Sequence, residues 1–61
     1  MKLQTRYRCR YTHRQTRDVR AFIVYAWNKL DADVAADKLL AAAEGDHWRD
    51  HWWPFGAERD S

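Results

Sequence analysis

A chain of 61 residues forms one domain at most, and a unit this short buries only roughly 60% of the surface its unfolded form exposes. Its net charge of +2, its 46% apolar content and its four Trp, three Tyr and two Phe exclude a disordered chain, while the lone Cys9 excludes an internal disulfide framework and fits a reducing compartment, by default the cytoplasm. Residues 1–10 carry Lys2, Arg6, Arg8 and Arg10 but no apolar run, so neither a signal-peptide core nor the roughly 20 apolar residues of a membrane span is expected.

Charge is unevenly distributed along the chain. Residues 1–20 set Lys2, Arg6, Arg8, Arg10, Arg14, Arg17 and Arg20 against Asp18, a balance of +6; residues 21–61 set Lys29, Lys38, Arg49 and Arg59 against eight carboxylates, a balance of −4. From Lys2 to Arg14 the residues alternate. Leu3, Thr5, Tyr7, Cys9, Tyr11 and His13 fall on one side and Lys2, Gln4, Arg6, Arg8, Arg10, Thr12 and Arg14 on the other, the period of a half-buried strand over 2–14.

A polar cluster, Arg14 to Asp18, breaks that pattern, and a β-rich run follows over 19–27. The two runs read as an antiparallel hairpin whose loop has no Asn-Gly or Gly-Gly dipeptide to set its register. In the second run Val19, Ala21, Ile23, Tyr25 and Trp27 share one face and Phe22, Val24 and Ala26 the other, so it is apolar on both. Such a strand needs cover on both faces. A third strand, a partner chain, for instance in a homodimer, or the aromatic tail must supply what a helix does not.

The Ala-rich segment 31–44 reads as a helix, with Asp31 as N-cap, Asp33 near the positive end of the dipole and Gly45 as the stop. On a 100° wheel Ala32, Ala35, Ala36, Leu39, Ala42 and Ala43 cluster opposite Asp33, Asp37 and Glu44, which predicts a small-residue core face and a solvated acidic face. The tail over 46–55 holds Trp48, Trp52, Trp53 and Phe55, and a polar end spans 56–61. The expected fold is therefore α+β: a two-stranded antiparallel hairpin packed on one Ala-rich helix (ββα), with the aromatic segment adding a short strand or a helical turn.

Two constellations invite a chemical reading and do not sustain it. Cys9, His13, His47 and His51 have spacings that suggest zinc, but Cys9 and His13 would stand about 13 Å apart on a strand, too far to share one ion. No metal and no cofactor are expected. The carboxylates lie on an outer helix face and the only glycines, Gly45 and Gly56, form no phosphate loop, so no catalytic residues are assigned and the chain is not read as an enzyme.

Binding is the better reading. Arg6, Arg8 and Arg10 stand in a row at steps of about 6.6 to 7 Å, with Lys2 and Arg14 extending it. Phosphates of a nucleic acid or carboxylates of a protein could align along such a row, which could equally be a solvated face. The tail aromatics either complete the core or stand out as interface anchors, or divide between the two roles. The candidate partner-binding residues are Arg6, Arg8, Arg10, Arg14, Trp52, Trp53 and Phe55.

The run from Ala21 to Gly45, an apolar strand AFIVYAW followed by the helix DADVAADKLLAAAEG in an Arg- and Trp-rich chain, resembles small bacteriophage-encoded proteins of the anti-CRISPR type. The resemblance implies a non-enzymatic inhibitor in the host cytoplasm that binds a larger protein or nucleoprotein effector complex. It departs from inhibitors that mimic DNA, which are strongly acidic. The alternative is a small nucleic-acid-binding protein using its basic strand face.

Overall fold

A computed structural model describes residues 3–60; the proposed strand start at Lys2 and the terminal Ser61 lie outside them. The chain runs β1 (Thr5–His13), β2 (Val19–Ala26), α1 (Lys29–Glu44), a single 3-10 turn at Trp48–Asp50, and β3 (Trp52–Arg59). The strands form one antiparallel sheet in the order β2-β1-β3. The expected hairpin is present, but it is two of three strands, and the basic first strand is the central one.

The aromatic segment adds both a helical turn and a third strand to the expected hairpin, and that strand is longer than the short one expected, converting most of the supposed polar end into sheet. Its alternation is concealed by an irregularity: Arg10 pairs with Gly56 but Tyr11 with Pro54, leaving Phe55 as the extra residue of a bulge. Gly56 adopts φ 88°, a value that favours glycine, and Pro54, which has no N–H to give, is tolerated because β3 is an edge strand.

A side chain, not a glycine, organises the hairpin loop. The Nδ1 of His13 accepts the N–H groups of Gln15 and Thr16, each at 3.2 Å, while the N–H of Arg17 donates to the His13 carbonyl at 3.1 Å and the N–H of His13 to that of Asp18 at 2.8 Å. Arg17 takes the left-handed φ of 66° that closes the loop.

The helix begins before Asp31. Asn28 is the N-cap, its backbone extended and its Oδ1 accepting the N–H of Asp31 at 2.9 Å, so Asp31 sits in the first turn beside the dipole. Gly45 closes the helix at φ 94°, its N–H donating to the Ala41 carbonyl at 2.7 Å. The buried stripe is Ala32, Ala36 and Leu40, with Ala35 and Ala41 partly covered; Leu39, Ala42 and Ala43, expected in the core, are exposed. The helix is thus rotated toward its acidic flank. The cause is polar: Asp37 and Glu44 reach partners on the rest of the fold, Tyr11 and Arg49 for the first and Arg20 for the second.

The core lies between α1 and one side of the sheet. Tyr7, Cys9 and Tyr11 of β1 meet Val24 and Ala26 of β2, Ala57 of β3, the helix stripe, and Trp48 and Trp52. The Tyr11 ring packs edge-on against Trp48 at 5.6 Å and Phe22 at 5.9 Å, so bulk that the alanines cannot supply comes from aromatic rings. The alanines in turn admit close approach, bringing the Cys9 thiol within 3.6 Å of the Ala32 carbonyl. No helix of the described residues is long and apolar enough to cross a membrane.

Candidate binding face

Antiparallel register places directly paired residues on the same side of the sheet. Tyr7 pairs with Val24 and Cys9 with Phe22 on the helix side, which puts Arg6 beside Tyr25, Arg8 beside Ile23, Arg10 beside Ala21 and Thr12 beside Val19 on the other. On β3 the same open side carries Glu58 opposite Arg8 and Trp53 opposite Thr12. Among the described residues nothing covers this side, and its apolar residues are well exposed, from Ile23 at 42% to Phe55 at 67%.

The face has three columns. β2 contributes an apolar one of Val19, Ala21, Ile23 and Tyr25. Next to it β1 holds the arginine row. β3 adds carboxylates at one end and the exposed rings of Trp53 and Phe55 at the other. The arginines are not free charges: Arg6 and Arg8 each reach Asp60 at 3.1 Å and Arg10 reaches Glu58 at 2.7 Å. Three positive charges against two negative leave the row a balance of +1. The arginine side chains of these pairs remain about half exposed, so each pair contributes at most about 1 kcal/mol, with Asp60, at 23% exposed, the more enclosed acid. Arg10, Thr12, Val19 and Phe55 line a shallow hollow of about 200 Å³ at the hairpin-loop end of the face.

The remaining proposed contact residues divide. Arg14 follows the end of β1 with its guanidinium 5.4 Å from the Trp53 ring, and its N–H donates to the His51 carbonyl at 2.7 Å. Trp53 and Phe55 are exposed with it. Trp52, grouped with them from sequence, is only 6% exposed; it packs in the core under Arg20, so it is a packing residue and no contact anchor. Sequence reading missed Val19, Ile23 and Tyr25, whose signal was the apolar second face of the strand, and Glu58 and Asp60, whose alternation lay beyond the bulge.

The groups once considered for metal or catalysis do not converge. His13 and His51 stack with ring centroids 6.1 Å apart, His47 is exposed at the start of the 3-10 turn, and Cys9 is buried on the helix side of β1. Among the described residues no three His, Cys, Asp or Glu side chains are grouped to hold a metal ion. Burial, reinforced by Asp33 and Asp37, pushes the Cys9 thiol up to about 11, which holds it in its protonated, poorly nucleophilic form at neutral pH. Asp37, assigned to a solvated outer face from sequence, instead accepts a 2.6 Å hydrogen bond from the Tyr11 hydroxyl and pairs with Arg49 at 3.3 Å. Comparison with protein-family models, with curated proteins and with solved structures finds no match for this chain.

Proposed function

We propose that this chain is a non-enzymatic binding protein that docks through the open face of its sheet onto another protein. The observation that carries this reading is the exposed apolar column of β2 lying directly beside the arginine row of β1. Arg, Tyr and Trp are the side chains that dominate protein interfaces, and here Arg10, Tyr25 and Trp53 share one uncovered surface. The complementary partner presents carboxylates flanked by apolar groups: the carboxylates replace Glu58 and Asp60 on the arginines and the apolar groups cover Ile23, Tyr25 and Phe55. Together with the resemblance to phage-encoded inhibitors, this makes a host effector complex, blocked by contact, the proposed target.

Nucleic acid is the competing partner, and two features speak against it. The arginine row already has carboxylate partners that would repel phosphates, and half of the face is apolar and reads no backbone. Replacing Arg6, Arg8 and Arg10 together by alanine tests the choice. The fold should survive, because each change removes an exposed ion pair contributing at most about 1 kcal/mol. A photo-crosslinker at Tyr25 or Phe55 should capture a defined protein from host extract, with capture lost in the triple variant and absent when the probe replaces Leu39 on the exposed helix surface. Tight binding of generic DNA or RNA that weakens steeply with salt would transfer the function to the nucleic-acid reading.

A further inference from the structure

The hairpin loop is held by a titratable side chain. Residues 14–18 contain no glycine, asparagine or proline, and Arg17 is kept at a left-handed φ of 66°, which a residue with a Cβ adopts only at a cost. That cost is offset by the His13 ring, whose Nδ1 accepts the N–H groups of Gln15 and Thr16 at 3.2 Å each. A ring nitrogen that accepts carries no proton, so His13 is the neutral Nε2–H tautomer. Once protonated, both ring nitrogens are donors, and an Nδ1–H would point at two N–H groups.

The surroundings give that proton no compensation. The charged and titratable groups of the elements that meet the ring are Arg14, Arg17 and Asp18 of the loop, Arg20 of β2, and Asp50 and His51. Among the described residues no carboxylate forms an ion pair with His13 or His51, nor with Arg14 or Arg17, while Arg20 is paired with Glu44. The His51 ring lies nearly parallel to that of His13 with centroids 6.1 Å apart, so protons on both set like charge beside like. Trp52 packs at right angles to the His13 ring at 5.0 Å and offers it no acceptor.

We propose that His13 is a pH-sensitive latch: neutral, it holds the hairpin loop closed, and protonated, it releases Gln15 and Thr16 and loosens the loop end of the open face, where the Arg14 guanidinium lies 5.4 Å from the Trp53 ring. Histidine changes charge between about pH 5 and 8, so the latch opens in mild acid. The strands stay paired. The His13 N–H still donates to the Asp18 carbonyl and the Arg17 N–H to the His13 carbonyl, bonds that a proton on the ring does not remove. The inference stands on this geometry and does not depend on what the face binds.

Nuclear magnetic resonance of the isotope-labelled wild-type chain, taken from about pH 8 to about pH 5, tests it. At the alkaline end the His13 ring should show a bare Nδ1 and a protonated Nε2. As the ring takes its proton, the Gln15 and Thr16 amides should move with the same midpoint and lose about fivefold or more in protection against exchange, the factor that one hydrogen bond supplies, while the amides of 6–12 keep theirs. The Trp53 indole should shift in step. His13→Asn, whose side-chain oxygen accepts from the N–H two residues on, should keep the loop closed across the range, and His51→Ala should retain the transition. A proton on Nδ1 at the alkaline end overturns the proposal. So do Gln15 and Thr16 amides that stay protected once the ring is charged, or a transition that survives in His13→Asn and vanishes in His51→Ala. A Trp53 indole that stays still overturns the link between the latch and the face.

Discussion

Replacing Tyr11 by phenylalanine isolates the bond that ties the central strand to the helix. The ring is 2% exposed and its hydroxyl donates to Asp37 Oδ1 at 2.6 Å. A hydrogen bond to a charged group contributes about 1.5–3 kcal/mol, and the lower end applies because Asp37, with 29% of its side chain exposed, keeps Arg49 and gains water when the hydroxyl is lost. The expected loss is about 1.5–2 kcal/mol. For a domain of this size each kcal/mol moves the thermal midpoint by about 4–8 °C, giving a fall of roughly 6–16 °C. Urea titration should show a lower midpoint with an unchanged slope, since the surface exposed on unfolding is the same. Asp37→Asn should weaken the same bond, so the double variant should lose less than the sum of the two single losses. A loss below about 0.5 kcal/mol, or strict additivity, would refute the claim that this bond ties the central strand to the helix.

Leu40→Ala should cost about 2–5 kcal/mol and Leu39→Ala less than about 0.5 in the same denaturation assay, because only Leu40 is fully buried; equal costs would restore the helix face read from the wheel. Asn28→Ala should remove about 1 kcal/mol through loss of the N-cap, whereas Asp31→Ala should cost a few tenths, a contrast readable by thermal melts. Stability should fall in alkali. Cys9 and Tyr11 both have folded pKa values raised above their ordinary ones, chiefly by burial, so their neutral forms favour folding; the Cys9 contribution is full below about pH 9 and lost as pH rises through about 11, and that of Tyr11 is lost only in stronger alkali. Cys9→Ala should flatten the decline of the urea midpoint that begins near pH 9, and an unchanged profile would count against the thiol as its source.

The strength of the strand pattern decided what could be read without coordinates. Nine residues of unbroken alternation from Thr5 to His13 state both a strand and which side of it is buried, because side-chain direction in a strand follows from the backbone alone. The exposed position of Arg6, Arg8 and Arg10 follows from the same rule. An Ala-rich segment ending at Gly45 likewise states a helix, since propensity and the glycine stop are local properties.

The rotation of that helix was not local. A wheel ranks faces by apolarity, and in α1 the ranking was overruled by Tyr11, Arg20 and Arg49, whose bonds to Asp37 and Glu44 form only once distant segments meet. The extent and pairing of β3 were hidden for a related reason: Pro54 and Gly56 act as breakers in an isolated peptide but are compatible with an edge strand once β1 is beside it and a bulge absorbs the offset. The division of the aromatic rings depended on that register as well, sending Trp48 and Trp52 inward and leaving Trp53 and Phe55 out. Sequence by itself determined the first two strands, the Ala-rich helix and the direction of the arginine row, because strand and helix periodicities are properties of short stretches of chain. Only the tertiary structure decided that β3 joins β1 rather than β2, because strand order is set by which long-range pairing buries most. That choice left β2 at a sheet edge and β1 in the centre, with the arginine row between the open faces of the two outer strands.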